Sequence, residues 1–362
     1  MTRQWTLQTK KSLAAGEKGT EYSNPVFKDG TLLFGNESYG ITALYPDYHQ
    51  VRWRLPIPNG VTSEILVSNG FVYFTGGNGH LYCVSFENGK IEWQTDLRIP
   101  FTSKPSVRDG RVFVTTADDT VYAFDAGTGE WIWHYRRRSA GNATIKGAAQ
   151  PWVHDNEVLA GLSDGYLVSL NLQDGKLKWE KKLHEGFKFT DLDAKIVSDD
   201  GLLYMPSYDG GMYALKPGAP PQVLWKFDAG GAKAVVIDDQ RILLPSSNGS
   251  VYAIDKRTSK QLWQFDLDFG TPTDLVVTDR YVIFGSSYQY LYVLDKQTGK
   301  ALYRYDVGRG SGFNSSPIQG KSDKDLYILS GAGNLMSFQL REEPRKSYPH
   351  GRTDPYVFFE RL

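Results

Sequence analysis

An aromatic residue recurs at a nearly constant interval along this chain of 362 residues. Successive spacings are 40, 40, 46, 46, 38 and 40 residues. The recurring residues are Trp53, Trp93, Trp133, Trp179, Trp225, Trp263 and Tyr303. A four-stranded unit with a period near 40 residues is typical of a β-propeller, in which each blade buries its faces against the next. We therefore predict an all-β propeller whose aromatic ladder packs between neighbouring blades.

Each interval also carries the same strand and turn signals. In the unit that ends at Trp133, apolar runs at 112–115 and 121–124 flank Asp118-Asp119, a pair that suits a tight hairpin turn. Gly127-Thr128-Gly129 then reverses the chain before the outer strand. The third strands align across the repeats as HLYCVS, TVYAFD, YLVSLN, GMYALK, SVYAID and YLYVLD. The pattern predicts four short antiparallel strands in each blade.

The two ends of the chain complement each other. The last unit, from Ser316, has three strand signals and lacks a fourth with its aromatic residue. The first residues, Arg3 to Leu7, resemble an isolated outer strand with Trp5 in place. We predict that this strand completes an eighth blade and removes an open sheet edge, with Trp5 as a clasp. The propeller then spans residues 1–341, and residues 342–362 form a C-terminal tail.

Composition excludes several classes of protein. Lys+Arg and Asp+Glu both number 41, so no overall field attracts nucleic acid or an anionic membrane. No apolar run is long enough to cross a bilayer, and the first residues lack the apolar segment of a signal peptide. Cys83 is the only cysteine, so no intramolecular disulfide forms, and we expect it to be a small buried apolar residue.

The sequence matches to catalytic and metal-binding motifs lack the structural context or the residues that those motifs require. Gly161–Gly165 matches the G-x-S-x-G pattern of serine hydrolases, but it lies between two strands at a hairpin turn. Asp191-Leu192-Asp193 lacks the glycine and the terminal glutamate of an EF-hand, and the six histidines are scattered. We therefore expect no catalytic residue, no metal ion and no cofactor.

Two connections between blades are longer than the others. Eighteen residues separate Trp133 from Pro151, and 15 separate Trp179 from Ala194, against 11 in compact blades. The first opens with Arg136-Arg137-Arg138, and the second contains Asp191 and Asp193. Both run from an outer strand to the next inner strand, so they emerge side by side on one face. Loops on a rigid scaffold often carry function, so this rim is the predicted interaction site.

The repeat resembles the pyrroloquinoline-quinone (PQQ) type of propeller repeat, on Ala123…Asp125…Thr128-Gly129…Trp133 and Asp295…Thr298-Gly299…Tyr303. Within that superfamily the chain is most similar to the BamB family, the propeller lipoproteins of the outer-membrane β-barrel assembly machinery. The similarity lies in RQWTLQTKK, in LVSLNLQDGKLKW, in Asp191-Leu192-Asp193 and in FDAGGAKAVVIDDQRI.

The resemblance implies a non-catalytic scaffold on the periplasmic face of the outer membrane, attached only through a lipid anchor that this chain does not carry. It implies binding to a POTRA domain of a BamA-like protein through a Leu-Arg pair and an Asp-x-Asp. These fall on Tyr135 and Arg136, with Arg137 following, and on Asp191 and Asp193. Tyr stands where the family has Leu. Unfolded outer-membrane proteins are a further expected partner, through pairing at the sheet edges.

Two alternatives remain from the residues alone. A PQQ-dependent dehydrogenase would need a quinone and calcium in the channel, and many members carry adjacent cysteines over the cofactor. A propeller in the periplasm or the cytoplasm could instead bind a small ligand in its channel. The polar inner connections that suit such a ligand, or ordered water, are Thr62-Ser63, Thr102-Ser103, Thr271-Pro272-Thr273 and Ser315-Ser316.

Overall fold

Thirty-two β-strands account for the regular structure of the part of the chain described by a computed structural model. The described residues are 1–9, 23–36, 40–97, 99, 103–137, 149–183, 192, 195–207, 211–232 and 234–341. The predicted tail, residues 342–362, lies outside them. No helix within these ranges has the length and apolar character needed to span a membrane.

The strands group by blade in chain order. Blade 1 contains β2 (Val26–Lys28), β3 (Thr31–Asn36), β4 (Gly40–Tyr45) and β5 (Gln50–Leu55). Blade 2 contains β6 (Leu66–Ser68), β7 (Phe71–Thr75), β8 (His80–Ser85) and β9 (Ile91–Asp96). Blade 3 contains β10 (Ser106–Arg108), β11 (Arg111–Thr115), β12 (Thr120–Asp125) and β13 (Trp131–Arg136). Blade 4 contains β14 (Trp152–His154), β15 (Glu157–Gly161), β16 (Tyr166–Asn171) and β17 (Leu177–Lys182).

The second half repeats the pattern. Blade 5 contains β18 (Val197–Asp199), β19 (Leu202–Ser207), β20 (Gly211–Lys216) and β21 (Gln222–Phe227). Blade 6 contains β22 (Val236–Asp238), β23 (Arg241–Pro245), β24 (Ser250–Asp255) and β25 (Gln261–Asp266). Blade 7 contains β26 (Val276–Val277), β27 (Tyr281–Gly285), β28 (Tyr290–Asp295) and β29 (Ala301–Asp306). Blade 8 contains β30 (Ile318–Gln319), β31 (Asp325–Leu329), β32 (Asn334–Gln339) and β1 (Thr2–Gln8).

The predicted eight-bladed ring and its closure are both confirmed. Each of the eight sheets has four antiparallel strands, and the eighth has the order β1-β32-β31-β30. Strand β1 pairs with β32 from Thr2↔Gln339 to Gln8↔Asn334. The second and third strands of each blade are almost wholly buried, because each is covered on both faces by adjacent blades. The core is therefore a series of apolar layers between sheets.

A tryptophan–turn contact joins one blade to the next at four positions. The indole Nε1 of Trp93 donates a hydrogen bond of 3.0 Å to the carbonyl oxygen of Ala126, in the turn before the next outer strand. The same 3.0 Å bond joins Trp53 to Phe86, Trp133 to Leu172 and Trp263 to Lys296. Beneath each ring lies a glycine of that turn. A Cβ on Gly129 would come within 2.4 Å of the Trp93 ring.

This contact predicts unequal costs for two similar substitutions. Gly129 and Gly110 have φ values of 72° and 71°, but nothing lies within 4 Å of a Cβ on Gly110. We expect Gly110→Ala to lower the free energy of unfolding by about 1 kcal/mol, the cost of the left-handed conformation. Gly129→Ala adds overpacking against Trp93 and should cost about 3 kcal/mol. Denaturant titration of both variants measures the difference. Equal losses would contradict a contribution from the Trp93 contact.

The ladder is not uniform around the ring. Trp179 and Trp225 are only half-buried, whereas Trp53, Trp93, Trp133, Trp263 and Tyr303 are buried. The buried Nε1 of Trp179 has no hydrogen-bond partner among the described residues. In blade 5 the turn that would receive it is replaced by Lys216–Pro221. Trp5 is half-buried, with its ring 5.4 Å from that of His49 in blade 1 and 5.8 Å from that of Tyr327 in blade 8.

Candidate interaction rim

The blade 3 exit begins with a half-buried tyrosine. Tyr135 lies on β13 and packs against the apolar layer between blades 3 and 4, which includes Phe113 and Leu170. Burial raises the pKa of its hydroxyl, and the carboxylate of Glu180 adds to the shift. Part of the Tyr135 side chain is therefore buried between blades 3 and 4, and the exposed part can contact a partner.

Arg136 is the exposed cation of this exit. Its side chain is 62% exposed, and its Nη2 lies 3.5 Å from an oxygen of Asp118 in the β11–β12 turn. An ion pair of this length at the surface contributes about 0–1 kcal/mol. A guanidinium has five N–H donors, and only the Nη2 end of Arg136 lies near Asp118. Arg136 therefore combines a weak internal partner with free capacity for an external carboxylate.

Arg137 is directed into the protein. Its guanidinium carbon lies 3.6 Å from the centre of the Tyr166 ring, it pairs with Asp164, and its Nε donates to Glu180 at 3.1 Å. Burial alone would lower the pKa of Arg137, but the hydrogen bond to Glu180 and the charge of Asp164 outweigh it and raise the pKa. Only 19% of the side chain is exposed. Arg138 lies outside the described residues.

The second enlarged connection reaches the same turn. Asp191 and Asp193, the predicted acidic pair, lie outside the described residues. Leu192 between them is fully buried, and its N–H donates to the carbonyl oxygen of Leu162 at 3.2 Å. A Cβ on Gly161 would come within 2.2 Å of the Leu192 oxygen, so the glycine permits this approach.

The β15–β16 turn, residues 162–165, thus receives both connections. Arg137 pairs with Asp164 of this turn, and Leu192 bonds to its first residue, Leu162. The turn is also joined to blade 3, because both the N–H and the hydroxyl of Ser163 donate to the carboxylate of Asp119. Arg137 from the start of the first connection and Leu192 from the second therefore meet at one turn, which Ser163 joins to blade 3. Ser163 is engaged in this bond rather than placed as a nucleophile.

The residues that organise this rim include three that the sequence analysis did not select. Asp118 was interpreted only as a turn former, Asp164 lies within the hairpin turn of Gly161–Gly165, and Glu180 was not selected. Each is a carboxylate paired with an arginine of the β13 exit, Asp118 of blade 3 with Arg136, and Asp164 and Glu180 of blade 4 with Arg137. Their spacing relative to the repeat is the signal that could have identified them, since second-to-third-strand turns and outer-strand ends share one face.

Other chemistry is sparse in the described ranges. They hold no cluster of three or more His, Cys, Asp or Glu residues placed to bind a metal ion. Cys83 is buried in β8 next to Tyr73, and burial raises the pKa of its thiol to about 12. A thiol held neutral in this way is not a nucleophile.

Comparison with known proteins assigns the family. The family model described as outer membrane protein assembly factor BamB matches residues 41–265 and 190–354. The BamB of Burkholderia pseudomallei is 26% identical over 268 residues, which cover 70% of this chain and 69% of that protein. The BamB of Yersinia pestis is 26% identical over 214 residues, covering 57% of this chain and 54% of that protein.

Solved structures agree on the fold. The crystal structure of BamB from Moraxella catarrhalis has a TM-score of 0.79 at 18% identity, and the match covers 94% of this chain and 99% of that one. A quinohemoprotein alcohol dehydrogenase from Pseudomonas putida gives 0.70 at 13% identity, covering 98% and 78%. These likenesses establish the propeller, while the family-model match over most of the repeats shows that the chain belongs to the BamB family of outer membrane protein assembly factors.

Proposed function

We propose that this protein is a non-catalytic subunit of outer-membrane protein assembly, acting on the periplasmic face of the outer membrane. Its relatives are named outer membrane protein assembly factors. We propose further that the rim at blades 3 and 4 binds a POTRA domain of a BamA-like protein. The observation that supports this proposal is the exposure of Arg136, beside Arg137, whose partner Asp164 lies in the turn that also accepts a hydrogen bond from Leu192.

In this proposal the residues have distinct roles. Arg136 exchanges its weak contact with Asp118 for a charge-assisted hydrogen bond with a partner carboxylate. The exposed part of Tyr135 adds apolar contact, and Asp191 and Asp193 accept hydrogen bonds from partner cations or backbone N–H groups. Arg137 supports the exit of β13 through Asp164 and Glu180. A lipid anchor would hold the protein at the membrane.

Unfolded outer-membrane proteins are a second class of proposed partner. Outer strands present exposed apolar side chains beside their free edges, for example Trp131, Leu177, Leu262 and Leu302. An extended chain can add to such an edge through backbone hydrogen bonds, with pockets for alternate side chains.

The POTRA proposal predicts a selective loss of binding. Arg136→Ala should weaken binding to the purified POTRA region of the cognate BamA-like protein at least tenfold, because it removes a charged group at the centre of the contact. The Asp191→Asn/Asp193→Asn double variant should act likewise. Isothermal titration calorimetry with each variant measures the dissociation constant.

The matched control is Arg257→Ala. Arg257 is also exposed, but it lies in the turn after β24, at the opposite end of the third strand from the rim. It should bind as the wild type does. Wild-type affinity in both rim variants, with unchanged thermal unfolding, would overturn the POTRA proposal while leaving the family assignment intact.

A further inference from the structure

The junction between blades 4 and 5 lacks the tryptophan hydrogen bond that closes four other junctions. At those four, the indole Nε1 donates to a carbonyl oxygen of the following blade at 3.0 Å. The buried Nε1 of Trp179 has no hydrogen-bond partner among the described residues, and Lys216–Pro221 replaces the turn that would supply the acceptor. A buried donor without an acceptor has lost its hydrogen bond to water, and this loss favours separation of the two blades.

A second unpartnered polar group faces the same junction. Ser169 stands directly opposite Trp179 in the register of β16 and β17, so both side chains lie on the face of blade 4 that packs against blade 5. Ser169 is fully buried, and its Oγ has no hydrogen-bond partner in the described ranges. At the four bonded junctions an alanine or a cysteine stands opposite the tryptophan, namely Ala43, Cys83, Ala123 and Ala253. Two cross-strand neighbours without partners are therefore buried between blades 4 and 5.

The next junction, between blades 5 and 6, is joined by a lysine. Lys256, in the turn after β24, has its Nζ 2.6 Å from carboxylate oxygens of both Asp199 and Asp200 of blade 5. Its side chain is 8% exposed, and the hydrogen bonds to the two aspartates raise its pKa, so the lysine remains charged. Blade 5 has Pro217 at the position equivalent to Lys256, and a proline side chain forms no ion pair with blade 4. The blade 4–5 junction thus has neither the indole bond nor the lysine contact.

Apolar packing remains between blades 4 and 5. Its layer includes Leu159 and Leu167 of blade 4, and Leu203 and Met205 of blade 5. Burial of these side chains favours the closed junction. All strand pairing lies within single blades, so two blades can separate without loss of their own sheet hydrogen bonds.

We propose that the ring opens locally at the junction of blades 4 and 5, while the other junctions and the sheets themselves stay intact. In the open form, water reaches the Nε1 of Trp179 and the Oγ of Ser169 and supplies the hydrogen bonds that the closed form lacks. Local opening of this kind has a smaller free energy than global unfolding, because only one apolar layer is exposed.

The opening is coupled to the second enlarged connection through Leu192. This residue is fully buried in the same apolar layer, and it stands between Asp191 and Asp193 in the sequence. Separation of the blades removes the packing of Leu192, so a partner bound at this connection favours the closed junction. This coupling rests on the proposed POTRA function, whereas the opening itself does not.

The only cysteine of the chain provides a matched probe of the opening. Cys83 stands opposite Trp93 as Ser169 stands opposite Trp179, and the two residues are 1% and 0% exposed. Ser169→Cys in a Cys83→Ala background places a thiol at the equivalent position of the blade 4–5 junction. We expect N-ethylmaleimide to label this thiol about tenfold faster than it labels Cys83 in the folded wild type.

Mass spectrometry of timed samples measures both labelling rates. Urea titration of the same two proteins gives the rate that global unfolding alone would allow. Equal rates for the two thiols would overturn the proposal. So would labelling of the introduced thiol at the rate set by global unfolding.

A turn replacement tests the cause of the opening. In the Ser169→Cys/Cys83→Ala chain, residues 216–221 are replaced by the blade 3 turn Asp125–Gly129, which restores an acceptor of the kind that Trp93 meets. Labelling of the introduced thiol should then slow toward the rate of Cys83. The same replacement in the otherwise wild-type chain should leave the labelling of Cys83 unchanged. Unaltered labelling of the introduced thiol in a folded replacement variant would show that the missing turn does not open the junction.

The coupling has a separate readout. A saturating amount of the POTRA region should slow labelling of the thiol introduced by Ser169→Cys and should not change labelling of Cys83. Unchanged labelling with bound POTRA would overturn the coupling and leave the opening intact. Absence of POTRA binding would contradict the proposed function, and the coupling with it, but not the opening.

Discussion

Deletion of residues 2–8 is expected to abolish the cooperative unfolding of the propeller and to send most of the expressed chain into aggregates. These residues form β1, the outermost strand of blade 8, which pairs along β32. Without it, β32 presents an unpaired edge, and exposed edges recruit other chains. The deletion also removes the strand through which the chain links blade 8 covalently to blade 1.

The contacts of β1 extend to both adjacent blades. Arg3 donates to the hydroxyl of Tyr305 in blade 7 at 2.6 Å. Just beyond the strand, the carbonyl oxygen of Thr9 accepts from Asn36 of blade 1 at 2.7 Å. The Trp5 ring contacts His49, again in blade 1. The strand thus joins three consecutive blades, which explains why its loss should exceed that of a single edge strand elsewhere.

A milder pair of variants separates the clasp from the strand. Trp5→Ala should lower the free energy of unfolding by about 2–3 kcal/mol, below the cost of a fully buried tryptophan because the ring is half-buried. Trp131→Ala, on the outer strand of blade 3, removes a ring that is 59% exposed and should cost under about 1 kcal/mol. Circular dichroism melts and size-exclusion chromatography measure both, together with the deletion. A deletion variant that melts cooperatively at the wild-type temperature would contradict closure by β1.

The blades were predictable because each repeat carries its own turn chemistry. The third-strand segments HLYCVS, TVYAFD and YLVSLN coincide residue for residue with β8, β12 and β16. Closure was predictable for the same reason. Comparison with the repeat shows that the C-terminal unit lacks an outer strand and that the N-terminus has an additional one. Local pattern and global fold agree throughout, as expected for a repeat whose units contact only their neighbours.

What differs between equivalent residues was not predictable. Trp179 fits the template as well as Trp93 does, but its Nε1 partner depends on a turn in the following blade, which Lys216–Pro221 replaces. Trp225 is half-buried. In the turn of the next blade, Ser259, with φ 56°, occupies the position equivalent to Gly129, the glycine that contacts Trp93. Such contacts join residues more than 30 positions apart, so the sequence of one blade does not contain them.

The same limit applied to the rim. Spacing indicated the two enlarged connections, and the structure shows that Arg137 of the first and Leu192 of the second contact the β15–β16 turn. Adjacent arginines at a strand end point to different sides. Which of Arg136 and Arg137 faces a carboxylate of blade 4 is decided by the packing of blade 3 on blade 4. The run of three arginines thus contained one exposed and one internal cation that the sequence could not distinguish.

Substitution of these two arginines should therefore produce opposite results. Arg137→Met removes the partner of Asp164, which is only 8% exposed, and the cation over Tyr166. Leaving a buried carboxylate unpaired costs about 3–5 kcal/mol, and the partial exposure of Arg137 and Glu180 reduces this to about 2–3 kcal/mol. Arg136→Ala removes only a surface contact with Asp118 and should cost under about 1 kcal/mol.

Binding should reverse that order. Arg136→Ala is expected to lose affinity for the POTRA region while melting close to the wild-type temperature. Arg137→Met should melt well below it, yet retain measurable affinity at temperatures where the chain is folded, because its guanidinium is directed toward Asp164 and Glu180 rather than outward. Arg137→Lys keeps the charge but loses the planar stacking, so it should recover only part of the stability. Denaturation midpoints measure stability, and calorimetric titrations on the same preparations measure affinity for the POTRA region. A stable Arg137→Met variant that fails to bind would assign the partner contact to Arg137 and remove it from Arg136.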